Sequence, residues 1–192
     1  MSRLVIAGLV VGLACTAWAG GNPDVRCYID FDPPNYVHAV TPEPYETIEA
    51  YVCLDQLGEG MTSVSLCIDN PDEACPGCFG PAAWVKLLPG GFGGSPPWSP
   101  DGYTVVSDQC MTDSVTLVGK IVLFYLGGEY CIRLLDHPNY PRWVADCGNP
   151  AGVDTFCILA HGSIGGADCP DGDCQGVPVQ DDTWGTIKSM YR

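Results

Sequence analysis

The chain has 192 residues, with 23 acidic against 8 basic side chains and a formal net charge of −15. Such a balance repels a phosphate backbone, so nucleic acid is excluded as a partner, while solubility and contact with divalent cations are favoured. Twelve cysteines, eleven of them after residue 19, point to an oxidising compartment and a disulfide framework rather than to a cytosolic enzyme.

Met1-Ser2-Arg3 precedes an uncharged run from Leu4 to Ala14, and Ala17-Trp18-Ala19 supplies an A-x-A site before Gly20. This pattern predicts a secretory signal peptide over 1–19, and the run is too short to span a bilayer. Lipoprotein processing at Cys15 is the rival, disfavoured because Gly12 stands where an aliphatic residue is usual. Cleavage after Ala19 predicts a secreted or cell-surface protein with one domain over 20–178 and a tail over 179–192. Its eleven cysteines leave at least one thiol free or bonded to another chain.

Cys27 to Asp32 reads as a short strand, with Asp30 and Asp32 on one face and Pro33-Pro34 ending it. Tyr36 to Val40 extends the edge, and Thr41 to Pro44 turns. Thr47 to Asp55 alternates: Ile48, Ala50, Val52 and Leu54 point one way, Glu49, Tyr51, Cys53 and Asp55 the other. After a turn at Leu57–Gly60, Thr62 to Ile68 alternates again with Val64, Leu66 and Ile68 inward. If these two strands pair about the turn with Leu54 opposite Leu66, Cys53 falls opposite Cys67 and the two are a candidate disulfide. The pattern of Thr47 to Ile68 resembles that of cohesin-like β-sandwiches.

Asn70 to Pro100 is broken by proline and glycine, apart from a pairing segment at Ala83–Leu88, and Cys75 and Cys78 are its candidate staple. Gly102 to Val106 is a strand. Val115 to Leu135 reads as a hairpin about Gly127-Gly128, with Tyr125 opposite Tyr130, Leu123 opposite Ile132 and Ile121 opposite Leu134 on one apolar face. The opposite face is mixed, and Cys131 there ties it to a covering loop. Trp143 to Ala145 is a short strand. Thr155 to Ala160 is another, with Phe156 and Ile158 on one face, and Gly162 to Val177 is a loop. The sum is an all-β, antiparallel, disulfide-stapled β-sandwich, immunoglobulin- or cohesin-like, with a short C-terminal helix or tail. In that tail Asp182 or Thr183 caps a helix carrying Trp184, Ile187 and Tyr191 at helical spacing. TWGTIKSMYR resembles the endings of secreted, cysteine-rich bacterial proteins that close on W-G-x-I-K-x-x-Y-R, a resemblance that implies no activity.

Cys75-Pro-Gly-Cys78 has thiol-redox spacing, but no βαβ context surrounds it and no second C-x-x-C completes a zinc site. His161-Gly-Ser163-Ile-Gly165 lacks the first glycine of a nucleophile elbow, and His38 and His137 stand alone. Asp168, Asp171 and Asp173 fall within six residues around Gly172, between Cys169 and Cys174. Hard oxygens in a turn are what Ca2+ requires, so these three are the candidate calcium ligands, with Cys169 and Cys174 clamping the loop. Trp84, Trp98, Tyr140 and Trp143 stand in or beside loops as candidate glycan- or partner-stacking residues. The leading reading is a secreted, non-catalytic structural or adhesive module without a cofactor, contacting extracellular proteins or glycans. A calcium-dependent carbohydrate-binding module and a secreted hydrolase are the alternatives. An open sheet edge is a further route to association.

Overall fold

The computed structural model describes residues 20–136 and 142–174. The predicted signal peptide, Cys15, His137, Tyr140 and the C-terminal helix or tail lie outside them. The elements, in chain order, are β1 (Arg26–Asp30), β2 (Ala39–Val40), β3 (Thr47–Asp55), β4 (Met61–Ile68), α1 (Pro71–Ala74), β5 (Ala83–Lys86) and β6 (Tyr103–Met111). They continue with β7 (Val115–Phe124), β8 (Tyr130–Ile132), β9 (Leu134–Leu135), β10 (Trp143–Ala145), β11 (Val153–Asp154), β12 (Cys157–Ala160) and β13 (Gly162–Ile164). One five-stranded sheet runs β12-β1-β3-β7-β5, and a second runs β11-β10-β4-β6 with β9 beside the end of β4. A third, β2-β13-β8, adjoins them. Most pairs are antiparallel; β1 with β12 and β2 with β13 are parallel. The chain is a disulfide-stapled β-sandwich.

The inward faces follow the alternation of the sequence. Ile48, Ala50, Val52 and Leu54 of β3 meet Val64, Leu66 and Ile68 of β4, with Ile121 and Leu123 of β7, in one buried core. Phe156 and Ile158 join it, so the strand faces expected to be apolar are the faces that bury. Full burial of each such side chain stabilises the fold by about 1.5–3 kcal/mol.

Two pairings differ from expectation. β3 and β4 do not form a hairpin: they lie in different sheets, and the chain crosses between layers at Leu57–Gly60. Val115–Leu135 is not a hairpin either. Gly127 and Gly128 do adopt positive φ, 132° and 100°, but the turn delivers β8 to β13 in the third sheet and β9 to β4. The reason is that both edges of β7 are occupied. β3 pairs along its whole length and β5 along the other side. Beyond the strand, Tyr125 exchanges backbone bonds with Tyr45 and Glu46, while the Gly80 amide donates to the Phe124 carbonyl and the Leu126 amide to Cys78. Leu123 therefore faces Ile48, and Ile121 faces Ala50 and Trp84. Ile132 and Leu134 find other partners and are still buried.

A bulge sets the inner end of β7. Val52 opposes Gly119 but Cys53 opposes Leu117, so Val118 is an extra residue and the facing pattern inverts beyond it. Val118 and Thr116 both turn inward, and the Thr116 hydroxyl is buried without a partner. Gly119 makes room for the Trp84 indole: a Cβ there would lie 2.3 Å from Cη2 and Cζ2. Gly162–Val177, expected to be loop, contributes β13, and the irregular segment contributes the four-residue α1, capped by the Asn70 side chain accepting from the Asp72 amide.

Two substitutions test this packing by chemical denaturation. Gly119→Ala should displace Trp84 and cost about 1–3 kcal/mol, the usual penalty of overpacking. Thr116→Val keeps the shape and removes the orphaned hydroxyl, so it should leave stability unchanged or raise it by about 1 kcal/mol.

Candidate functional site

The three acidic residues proposed for calcium sit on the loop that follows β13, and the structure does not bring them together. All three are exposed, but Asp173 is bonded to the protein: its Oδ1 accepts from the Ile158 amide at 2.7 Å and its Oδ2 lies 2.6 Å from Arg142 Nη2. Against the opposing effect of partial burial, Arg142 and that amide hold the Asp173 carboxyl below the usual carboxylate range. Among the described residues no group of three His, Cys, Asp or Glu side chains is arranged to hold a metal. Gly172 serves close approach rather than a sharp turn, because a Cβ there would lie 2.3 Å from the carbonyl oxygens of Ile158 and Leu159. Arg142 also pairs with Asp136 Oδ1 at 2.6 Å. With Asp24, Thr155 and Phe156 these groups line an open cleft of about 620 Å3.

The tryptophans separate. Trp84 is core, 9 % exposed, its Nε1–H donating to the Gly93 carbonyl at 3.2 Å. Trp98 packs partly buried against the core and bridges Ile68, and Trp143 is half-buried in β10 opposite Ser65. These three do not form a common stacking platform: they belong to β5, to the loop before β6 and to β10.

The cysteines pair as Cys75–Cys78, Cys110–Cys147, Cys131–Cys169 and Cys157–Cys174. Cys131 thus ties β8 to the loop after β13, and Cys169 and Cys174 clamp that loop to two different strands rather than to each other. Cys53 and Cys67 carry no disulfide because their strands lie in separate sheets; with Cys27 they are buried thiols. Burial pushes all three thiols up, Cys67 to about 11, so the reactive thiolate is suppressed at neutral pH. Cys75 follows the C-terminal end of α1, opposite to the helix end that activates a thiol. The Ser163 hydroxyl donates to the Ala167 carbonyl at 2.7 Å, and His161 Nδ1 accepts from the Leu134 amide at 3.1 Å, so neither is bonded to the other. Burial, followed by the charge of Arg133, lowers the His161 pKa.

What the sequence reading missed is the outward face of the five-stranded sheet. Val122 and Phe124 of β7 share that face with Ala83 and Val85 of β5. Phe124 is 43 % and Val85 40 % exposed. Tyr45 is 74 % exposed, holds φ at 73°, and sets its ring 6.3 Å from that of Phe124. Leu126, 40 % exposed, continues the strip. The only sequence signal was the mixed face of Val115–Leu135, where Val122 and Phe124 had no assigned cover. Farther along the same face the loop after β1 folds back. Tyr36 stacks on Tyr28 at 5.1 Å and donates to Asp55 Oδ2, which also receives Arg26. The buried Asp30 carboxylate accepts from the amides of Asp32, Tyr36 and Val37 and fixes that loop. Among the described residues no helix is long and apolar enough to cross a membrane.

No family model matches the chain, and no curated protein matches it. Among solved structures it is similar to a chain of the CaDoc0917–CaCohA2 complex crystallised at pH 5.5, at 12 % identity and a TM-score of 0.40, over 73 % of this chain and 97 % of that one.

Two measurements check the chemistry of these groups. Iodoacetamide should leave Cys27, Cys53 and Cys67 unmodified in the native protein and alkylate all three once it is unfolded; rapid native labelling would contradict their burial. A histidine whose folded pKa is lowered contributes stability that is present above its unfolded value, about 6.5, and is lost as pH falls through the folded one. Melting temperature should therefore decline below about pH 6.5, and His161→Asn, which keeps an acceptor for the Leu134 amide, should flatten that decline. A second loss, below about pH 4, belongs to carboxylates held low, Asp146 and Asp173 among them.

Proposed function

We propose that this protein is a secreted, non-catalytic β-sandwich module that attaches to a protein partner through the outward face of its five-stranded sheet. The observation that carries the reading is the exposed group of Tyr45, Phe124, Leu126 and Val85: Phe124 and Val85 stand on the paired strands β7 and β5, Tyr45 in the turn before β3 and Leu126 just past β7. Large apolar side chains exposed together on a sheet that has other faces to bury mark a contact surface. Tyr45 also sits in a left-handed conformation that β-carbon-bearing residues rarely adopt, and Phe124 is the ring it reaches.

Charge narrows the partner. Glu43 and Glu46 flank Tyr45 and are exposed, and Glu129 lies just past Leu126. An apolar centre with a carboxylate rim favours a partner whose own apolar patch is ringed by Lys and Arg, and it gives an association rate that falls as salt rises. Secretion, expected from residues 1–19, accords with the four disulfides and with the burial of Cys27, Cys53 and Cys67 among the described residues.

The test is retention of the purified protein on cell envelopes of the producing organism. Wild type should be retained and released by salt. The double variant Tyr45→Ser, Phe124→Ser should lose about tenfold or more in retention with little change in melting, since neither side chain is buried. Equal retention of the two proteins would remove the sheet face as the contact, and turnover of peptide, ester or glycoside substrates would overturn the non-catalytic reading.

A further inference from the structure

The first three described residues, Gly20 to Asn22, are held in a slot by side-chain carboxylates. Gly20 N lies 3.1 Å from Asp154 Oδ1, and the Asn22 amide donates to the other oxygen of the same carboxylate at 2.7 Å. Between them, the Gly21 amide donates to Asp146 Oδ2 at 2.9 Å. Three successive backbone nitrogens are thus received by two carboxylates. Both sit on anchored backbone. Asp154 ends β11, Asp146 follows β10, the two strands pair, and the Asp146 amide donates to the Gly152 carbonyl at 3.1 Å. Cys147, the next residue, is bonded to Cys110.

The slot is tight at its end. A Cβ on Gly20 would lie 2.2 Å from Asp154 Oδ2 and 3.1 Å from the Val153 nitrogen, and a Cβ on Gly152 would lie 2.5 Å from Gly20 Cα. Asn22, fully buried, closes the other end: its side chain donates to the Gly60 carbonyl at 2.7 Å and accepts from the Glu59 amide at 3.1 Å. Glu59 lies over Gly21. The titratable groups facing Gly20 and Gly21 are therefore Asp154, Asp146 and Glu59, all anionic, and no side-chain cation pairs with any of them among the described residues.

An amide N–H at Gly20 brings no charge to balance this group. An ammonium does, and Ala17-Trp18-Ala19 immediately before Gly20 is a small-residue cleavage pattern. We propose that hydrolysis of the Ala19–Gly20 bond makes Gly20 the amino terminus of the working protein, and that its α-ammonium docks on Asp154 as the ion pair that completes the fold. In that step a water molecule adds across the amide under an external peptidase. The carboxylate leaves with Ala19, and the new amine, protonated at neutral pH, stays at Gly20. Processing then stabilises the protein instead of merely shortening it, because a charge-assisted bond replaces a neutral one at a site already built to receive it.

The experiment compares chains that begin at Gly20 with chains carrying two extra residues before it, each with Asp154 intact or as Asp154→Asn. The first expectation is that the exported protein has an N-terminal mass starting at Gly20. The second is that the Gly20 start melts about 2–4 °C above the extended chain, and that Asp154→Asn erases this difference. The gap should also close above about pH 8, as the amine loses its proton. Should Asp154→Asn fail to fold, Asp154→Glu keeps the charge and should preserve part of the gap. A natural terminus at another residue, or equal melting of the exact and extended chains, overturns the proposal. So does a gap of the same size in Asp154→Asn. None of these outcomes bears on partner attachment by the sheet face, which is read separately.

Discussion

The pairing of both edges of β7 is the constraint on which the rest of the structure depends. A strand has two rows of backbone donors and acceptors, and once both are taken it can accept no further neighbour. Here β3 takes one row and β5, with the short run after Cys78, takes the other. Everything after Phe124 must then find its partners elsewhere. β8 goes to β13, β9 to β4, and the Cys131–Cys169 bond secures the departure. The outward face of β7, perpendicular to these pairings, is the face on which Val122 and Phe124 stand.

The strands themselves were legible. Alternation located β3, β4, β7 and β12 within a residue or two, because a sheet with one buried face writes period two into its sequence. Their partners were not. Gly127-Gly128 supplied the positive φ that a hairpin requires, and a local turn signal says nothing about whether the strand edge before it is free. The crossing at Leu57–Gly60 failed for the same reason: four turn residues fit a hairpin or a passage between sheets, and long-range pairing decides. The bulge at Val118 was invisible as well, since it arises from the fit of β7 to β3 and to the Trp84 indole over Gly119.

The candidate sites show the same division. Cys75 and Cys78 are close in sequence and pair, and Cys131 ties its strand to a loop as its outward register implied. Cys53 and Cys67 were matched by an assumed hairpin, so they separate with it. Asp173 looked free because its partner, Arg142, is distant in sequence and stands beside it only after β12 and β10 have taken their places. Trp84 looked exposed because prolines and glycines surround it. The nearby glycines instead let the chain wrap the indole, with Gly93 as acceptor and Gly119 as floor. In each case composition described the residue and topology described its neighbours.

Charge connects the uncovered sheet face to solubility. Within the described residues Arg26, Lys120, Arg133 and Arg142 are each bound to carboxylates, and Lys86 is turned to the Gly90 carbonyl. The acidic excess is far larger than these pairs can neutralise, so the outward field is that of unpaired carboxylates. Two copies of the chain meeting by their apolar strips would bring Glu43, Glu46 and Glu129 of each against the other, a like-charge juxtaposition that opposes association. A surface strip that would promote aggregation on a neutral protein is thereby kept available on this one. On the attachment we propose, the same field that repels a second copy would attract a basic rim, so that net charge would select which surface approaches and the exposed aromatics would supply the area it buries.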